Sequence, residues 1–287
     1  MDKYLMMLPF TIFFFIFTVV SVVSAIVLSF TNFNMIQSPD LIGWTNYIRM
    51  FLDDEVFPIV IRNTLIFALV TGPISYFACL IIAWLINELP PKIRAFVTLV
   101  FYIPSISSTV FAVWGYIFSG DSSGLVNSTL MRMGILYEPV QWLTDPRYSL
   151  TIIIVVQLWA SLGTSFLAFI AGLQGIDRSM YESGQIDGIR NRFQELRLIT
   201  LPSMGPQLLF AAVMQIGASF AVSQVSIQLA GFPSTDYAAA TIVTHLLDHG
   251  TIRFEMGYAS AIATVLFISM VTIHWLIKRL LRRYTAI

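Results

Sequence analysis

The sequence predicts an all-α polytopic membrane protein with six transmembrane helices and both termini in the cytoplasm, and three observations carry that prediction. Only 11% of the 287 residues are charged and 57% are hydrophobic, whereas soluble domains carry about 25% charged residues. Six stretches of at least 22 residues contain no Asp, Glu, Lys or Arg: 4–39, 63–87, 95–120, 148–176, 198–235 and 256–277. Eleven of the sixteen basic residues fall in segments that share the N-terminal side of the membrane, and excess Lys and Arg marks the cytoplasmic side.

Each charge-free stretch is long enough to span. A hydrocarbon core about 30 Å thick needs roughly 20 apolar helical residues, and in lipid the backbone must satisfy its hydrogen bonds within the segment. The apolar cores fall near 5–30, 63–86, 95–118, 149–173, 204–229 and 257–277. The first is too long for a signal peptide and lacks a small-residue cleavage site, so it reads as a retained helix. Pro9, Pro73 and Pro104 fall in or near spans, where neighbouring groups re-satisfy a kinked backbone. Small residues four apart, Ala168/Gly172, Gly217/Ala221 and Ala259/Ala263, favour close helix packing. The whole chain, 1–287, reads as one membrane domain with a cytoplasmic loop at 174–202.

Several function classes are excluded or disfavoured. Zero net charge without a basic tract argues against nucleic acid. The single cysteine, Cys79, cannot form an internal disulfide. No Gly-Lys dipeptide occurs, so the chain has no phosphate loop of the G-x-x-x-x-G-K type. Gly120 to Gly124 formally satisfies G-x-S-x-G around Ser122. That elbow needs a preceding strand, and an apolar helix precedes it here, so it reads as a solvated turn. His245 and His249 flank Asp248 at the i, i+4 spacing of a helical zinc pair. No third ligand is evident beside them, so they read as a helix surface or a docking contact outside the spans, and no metal is assigned. His274 reads as an interfacial anchor near the inner end of the last span.

Apart from His274, the six apolar cores hold no acidic or basic residue. Ion-coupled carriers place such groups at membrane depth, so the alternative of an ion-coupled secondary carrier for a neutral polar solute is disfavoured, as is a charged cargo. In the fifth span Gln215, Ser219, Ser223 and Ser226 fall within an arc of about 80° at helical periodicity. In the fourth, Gln157, Ser161 and Thr164 do likewise, with Trp159 close by. Such stripes either line a pathway or hydrogen-bond helices together.

The most distinctive segment is a charged island, Asp177 to Arg197, holding eight charged residues between two long uncharged stretches. Asp177 or Ser179 can cap a first short helix, with Glu182 near its N-terminus. Tyr181 and Ile186 form an apolar patch on it. Gly188 permits a tight turn, and a second helix runs from Arg190 to Leu201 and meets Pro202. A segment so charged, between two spans, is presented to a soluble partner.

Glu182, Asp187-Gly188 and Ile199-Thr200-Leu201-Pro202 resemble the Glu-Ala-Ala loop of binding-protein-dependent ABC importer permeases. Ser183 and Gly184 stand where that pattern has alanines, and one residue more than the commonest spacing separates Gly188 from Leu201-Pro202. GWTNYIRMF (43–51), RNTLIFALV (62–70) and FYIPSISSTVFAVWGYIF (101–118) are similar to the carbohydrate-uptake, maltose-type branch. The resemblance implies a type I importer permease fold in the cell membrane, moving a neutral sugar or oligosaccharide inward by alternating access. It implies that Tyr181, Glu182 and Gly188 contact a groove of a separate ATPase subunit, with Asp187 and Arg190 nearby and Pro202 closing the motif. The ATPase dimer would bind ATP and magnesium, and this chain no cofactor. The remaining implied partners are a second permease subunit and an extracytoplasmic sugar-binding protein.

Overall fold

The computed structural model describes residues 2–281. Among the described residues the chain is helical, with one isolated β-bridge, Thr31 to Leu41, as its only extended pairing. Helix α1 runs from Asp2–Phe14 through a π-turn at Phe15–Val20 into Ser21–Leu28, and α2 spans Phe57–Asn87. Pro91–Ile106 (α3) and Phe111–Ile117 (α4) follow, then Ser149–Ala160 (α5) and Thr164–Gln174 (α6). Arg178–Ile186 is α7, and 192–203 is α8. Gly205–Phe220 (α9), Gln224–Ala230 (α10), Ile242–Leu247 (α11) and Met256–Leu281 (α12) follow, with shorter helices at Thr45–Ile48 and Leu125–Arg132 in the connections.

Five described helical stretches are long and apolar enough to cross a membrane: Met6–Leu28, Phe57–Asn87, Ser149–Gln174, Gly205–Ala230 and Met256–Arg279. The sixth span predicted from sequence is the pair α3 and α4, bent by 82° after Ile106. Residues 95–118 were expected as one apolar helix; Ser107 instead adopts an extended backbone (φ −111°, ψ 114°) that ends α3. The second span begins six residues before the charge-free stretch, so Arg62 lies within α2. A charge in the outer turn of a membrane helix can extend toward the interface, which makes a charge-free stretch a lower bound on helix length.

The described residues form two compact units. One unit comprises the residues up to Arg62 with Ala240–Ser269. Its loop after α1 is tied down by the buried amide of Asn46, whose Nδ2 donates to Ser29 O and Thr31 O, both at 2.8 Å. Gly257 permits this same loop to approach α12. Its amide donates to Phe33 O at 2.9 Å, and a Cβ at 257 would lie 2.1 Å from Thr31 O. Because the obstructing atom is backbone, Gly257→Ala is expected to destabilise the fold by about 1–3 kcal/mol, the usual cost of overpacking. A lowered thermal midpoint of the purified chain would show it; an unchanged midpoint would mean that the loop yields freely.

The other unit, Asn63–Ala239 with the described residues from Met270 onward, has two apolar cores. One gathers Cys79, Phe166, Phe169 and Met204, all fully buried. The second packs Phe67, Phe111, Ile153 and Val225. Close packing between α2 and α9 uses Gly72, where an added Cβ would touch Ser219 Oγ at 3.4 Å. His274 Nε2 lies 3.0 Å from Val213 O, so it is tied to α9.

Candidate functional site

The charged island folds as two short helices around a tight turn. Asp177 caps α7, its Oδ1 accepting from Ser179 N at 3.0 Å. Glu182 is not at the N-terminus, as expected from sequence, but at the fifth residue of α7, exposed and beyond the first turn where the helix dipole acts. The helix ends in a Schellman motif: Ile189 N donates to Gly184 O at 2.9 Å and Gly188 N to Gln185 O at 3.3 Å. Gly188 supplies the left-handed residue this motif needs, with φ +92°. Gly184 is buried, and a Cβ there would lie 2.5 Å from Ile199 Cδ1 and 3.0 Å from Ile189 Cδ1. Both obstructing atoms are the ends of isoleucine side chains, so an alanine at this position of the motif would require those side chains to shift.

Helix α8 starts later than predicted, after Asn191, whose side chain accepts from Gln194 N at 2.8 Å. It continues past Pro202 to Ser203 through a π-turn at Leu196–Thr200, with Leu201 N bonded to Leu196 O. A π-turn holds one residue more than an α-turn, which accommodates the extra residue between Gly188 and Leu201-Pro202. Tyr181 turns back onto this helix, its hydroxyl 3.0 Å from Thr200 Oγ1. The exposed residues of the segment include Ile186, 87% exposed, with Phe193, Glu182, Asp187 and Arg190. Arg192 joins the segment to the connection after α2, bonding Glu88 and Glu195, each at 2.9 Å. Beside it lies a cavity of about 770 Å³ whose lining includes Arg94, Arg178, Glu182 and Arg192.

The spans contain a second feature. A cavity of about 330 Å³ is lined by Pro104 to Ser107, Gln157, Ala160 and residues 221–225. They lie at the breaks of α3 into α4 and of α9 into α10, and on the last turn of α5 just before its break into α6. Irregular backbone at membrane depth persists only where it is buried in protein or lines a cavity, and interrupted helices of this kind form binding sites in transporters. Gln157 and Ser223 line the cavity. Gln215 and Ser219 do not: they are buried in α9, with Ser219 Oγ donating to Ile216 O at 2.9 Å. Ser226 is likewise buried and donates to Ala239 O. The helix breaks at 221–223, so periodicity cannot carry one stripe across it. Ser161 donates to Leu158 O at 2.6 Å at the end of α5, and Trp159 packs edge-on against Trp114 at 5.3 Å. Thr164 is exposed at the start of α6. Ser105, Ser107 and Gln224 line the cavity without having been singled out; the polar residues following Pro104 were the available signal.

The outer-loop histidines are not a helix surface. His245 and His249 are 5% and 2% exposed, their rings 4.6 Å apart. Asp54, far away in sequence, approaches them, with Oδ2 2.8 Å from His245 Nε2. Burial acts to raise the Asp54 pKa, but hydrogen bonds from Tyr258 and His245 and the Val56 amide hold it below the usual carboxylate value. Burial pushes His249 below its ordinary value, helped by His245 and Arg253 and opposed by Glu255.

An interrupted-span cavity together with a capped helix–turn–helix outside the spans defines a membrane transport component, and comparison with known proteins agrees. Residues 92–286 match the family described as binding-protein-dependent transport system inner membrane component, and the chain belongs to that family. It is 33% identical over 264 residues to the probable ABC transporter permease protein YesP of Bacillus subtilis (strain 168), covering 91% of this chain and 84% of that one. The arabinooligosaccharides transport system permease protein AraP of the same organism is 27% identical over 272 residues, 94% and 85% of the two chains. A crystal structure of a bacterial alginate ABC transporter, in complex with its alginate pentasaccharide-bound periplasmic protein, superposes with TM-score 0.80 at 26% identity. The match covers 99% of this chain and 94% of that chain. The protein is a multi-pass membrane permease component of an ABC importer and is not itself the catalyst.

Proposed function

We propose that this chain is one of two permease subunits that import a neutral oligosaccharide, driven by a separate ATPase subunit that binds ATP and magnesium. The observation that carries the reading is the island 177–203, whose internal contacts leave Ile186, Glu182, Asp187 and Arg190 facing outward. Glu182 and Gly188 act there in coupling: the first offers a charge, and the second sets the turn that aims α7. Tyr181 holds α7 to α8 through Thr200, and Pro202 lies at the end of α8 just before the fifth span. Both termini and this segment lie on the cytoplasmic side, as the distribution of Lys and Arg favours. A sugar-binding protein delivers cargo from the opposite face. Transport requires that ATP bind one conformational state of the assembly more tightly than the other.

The cargo is neutral because the cavity at the span breaks is lined by Gln157, Ser105, Ser107, Ser223 and Gln224, with no Lys or Arg among the described lining residues. Amide and hydroxyl groups match sugar hydroxyls, whereas a polyuronate would require cations. Crosslinking from position 186 tests the coupling. With the sole native cysteine buried, Ile186→Cys in native membranes is expected to crosslink to an ATPase subunit through a short bifunctional reagent. Recovery of the uncrosslinked chain alone would refute the coupling assignment.

A further inference from the structure

We propose that Asp54, His245 and His249 form a binding site for a divalent transition metal, with zinc the natural occupant. The three side chains come from two distant segments, and one donor atom from each lies within 4.8 Å of the others. Two imidazoles and one carboxylate are a zinc donor set, whereas magnesium and calcium take oxygen ligands. Zinc bonds of roughly 2.0–2.2 Å place tetrahedral donors about 3.4 Å apart. The Asp54–His245 contact is 2.8 Å, so the donors would shift by about 1 Å or less to close on an ion.

The surroundings hold these donors in place. Asp54 Oδ1 accepts from Val56 N at 2.9 Å and Phe57 N at 3.1 Å at the start of α2, which leaves Oδ2 facing His245 and the Tyr258 hydroxyl. His249 Nδ1 lies 2.7 Å from Glu255 Oε2, and Arg49 fixes that carboxylate at 3.0 Å. A carboxylate on one imidazole nitrogen orients the ring and leaves the other nitrogen as a metal donor. Thr241 and Thr244 form a capping box that sets α11 and with it His245. The cations nearest the site are already paired, Arg49 with Glu255 and Arg253 with Asp248. A cavity of about 290 Å³ lies beside the donors and is lined by both histidines, Asp54 and Arg253. It offers the fourth coordination position to water. A bound ion would staple the segment before α2 to the α11–α12 segment.

The experiment uses the full-length chain carrying a tag without histidines, purified in detergent and stripped with chelator. Zinc is titrated calorimetrically, and cobalt is added as a visible probe of tetrahedral coordination. One equivalent of zinc should bind with micromolar or tighter affinity, and cobalt should show intense tetrahedral absorption. His249→Gln should weaken binding at least 100-fold. Glu255→Gln, which keeps all three donors, should weaken it about 10–100-fold while retaining a wild-type gel-filtration profile. Failure of wild type to bind at 100-fold micromolar excess would overturn the proposal. So would binding that neither variant changes, because the ion would then sit elsewhere.

Discussion

Uptake should fall at least tenfold when Gly188 is replaced by valine, with the chain still inserted in the membrane at normal abundance. Gly188 sits at φ +92°, and nothing lies within 4 Å of where a Cβ would be. The cost is therefore backbone strain without a clash. Left-handed conformation costs an L residue about 1–2 kcal/mol, and more for a β-branched one. About 2 kcal/mol corresponds to roughly a thirtyfold change in the population of the native turn. Losing that turn releases α7 from the angle at which Ile186 and Glu182 are presented. The spans lie outside the turn, so folding should survive. A graded series makes the test sharper. Asparagine tolerates positive φ and should retain most activity, alanine should be intermediate, and valine worst. Equal uptake by the valine variant would remove this turn from the coupling mechanism.

Asp54→Ala should produce the largest loss of stability of any single substitution considered, on the order of 3–5 kcal/mol. One carboxylate, only 10% exposed at its side chain, serves four donors: the Val56 and Phe57 amides, the Tyr258 hydroxyl and His245. Loss of the helix-capping interaction costs about 1 kcal/mol. Each buried donor left without an acceptor adds roughly 1–3 kcal/mol. Followed by circular dichroism, the purified variant should unfold at a temperature lower by on the order of 10 °C. Asp54→Asn keeps an acceptor for the amides and should lose clearly less. An unchanged midpoint for Asp54→Ala would mean that water replaces the carboxylate without cost.

Much of the site's outline was legible locally. The sharp rise in charge at 177–197 marked the loop between spans. Asp177, Gly188 and Pro202 all mark local events: a cap, a left-handed turn and a missing donor. What misled was the assumption of unbroken periodicity. Gln215, Ser219 and Ser223 share an arc only on a straight helix, and α9 stops at Phe220. Extra length between Gly188 and Pro202 was visible as a count, but its form as a π-turn depended on α8 continuing through the proline.

By itself, the sequence determined that the chain crosses a membrane about six times, that a quarter of its charged residues are concentrated in one segment between spans, and that it carries no Gly-Lys dipeptide of the phosphate-loop kind. Those properties follow from composition, run length and local backbone preference, which act within a few turns. Only the tertiary structure decided which polar residues meet. Two span breaks and the end of α5 share one cavity, and Asp54 reaches His245 across 191 residues of chain. Such meetings depend on how helices pack, and no local propensity encodes a donor brought from a distant segment to complete a buried pair of histidines.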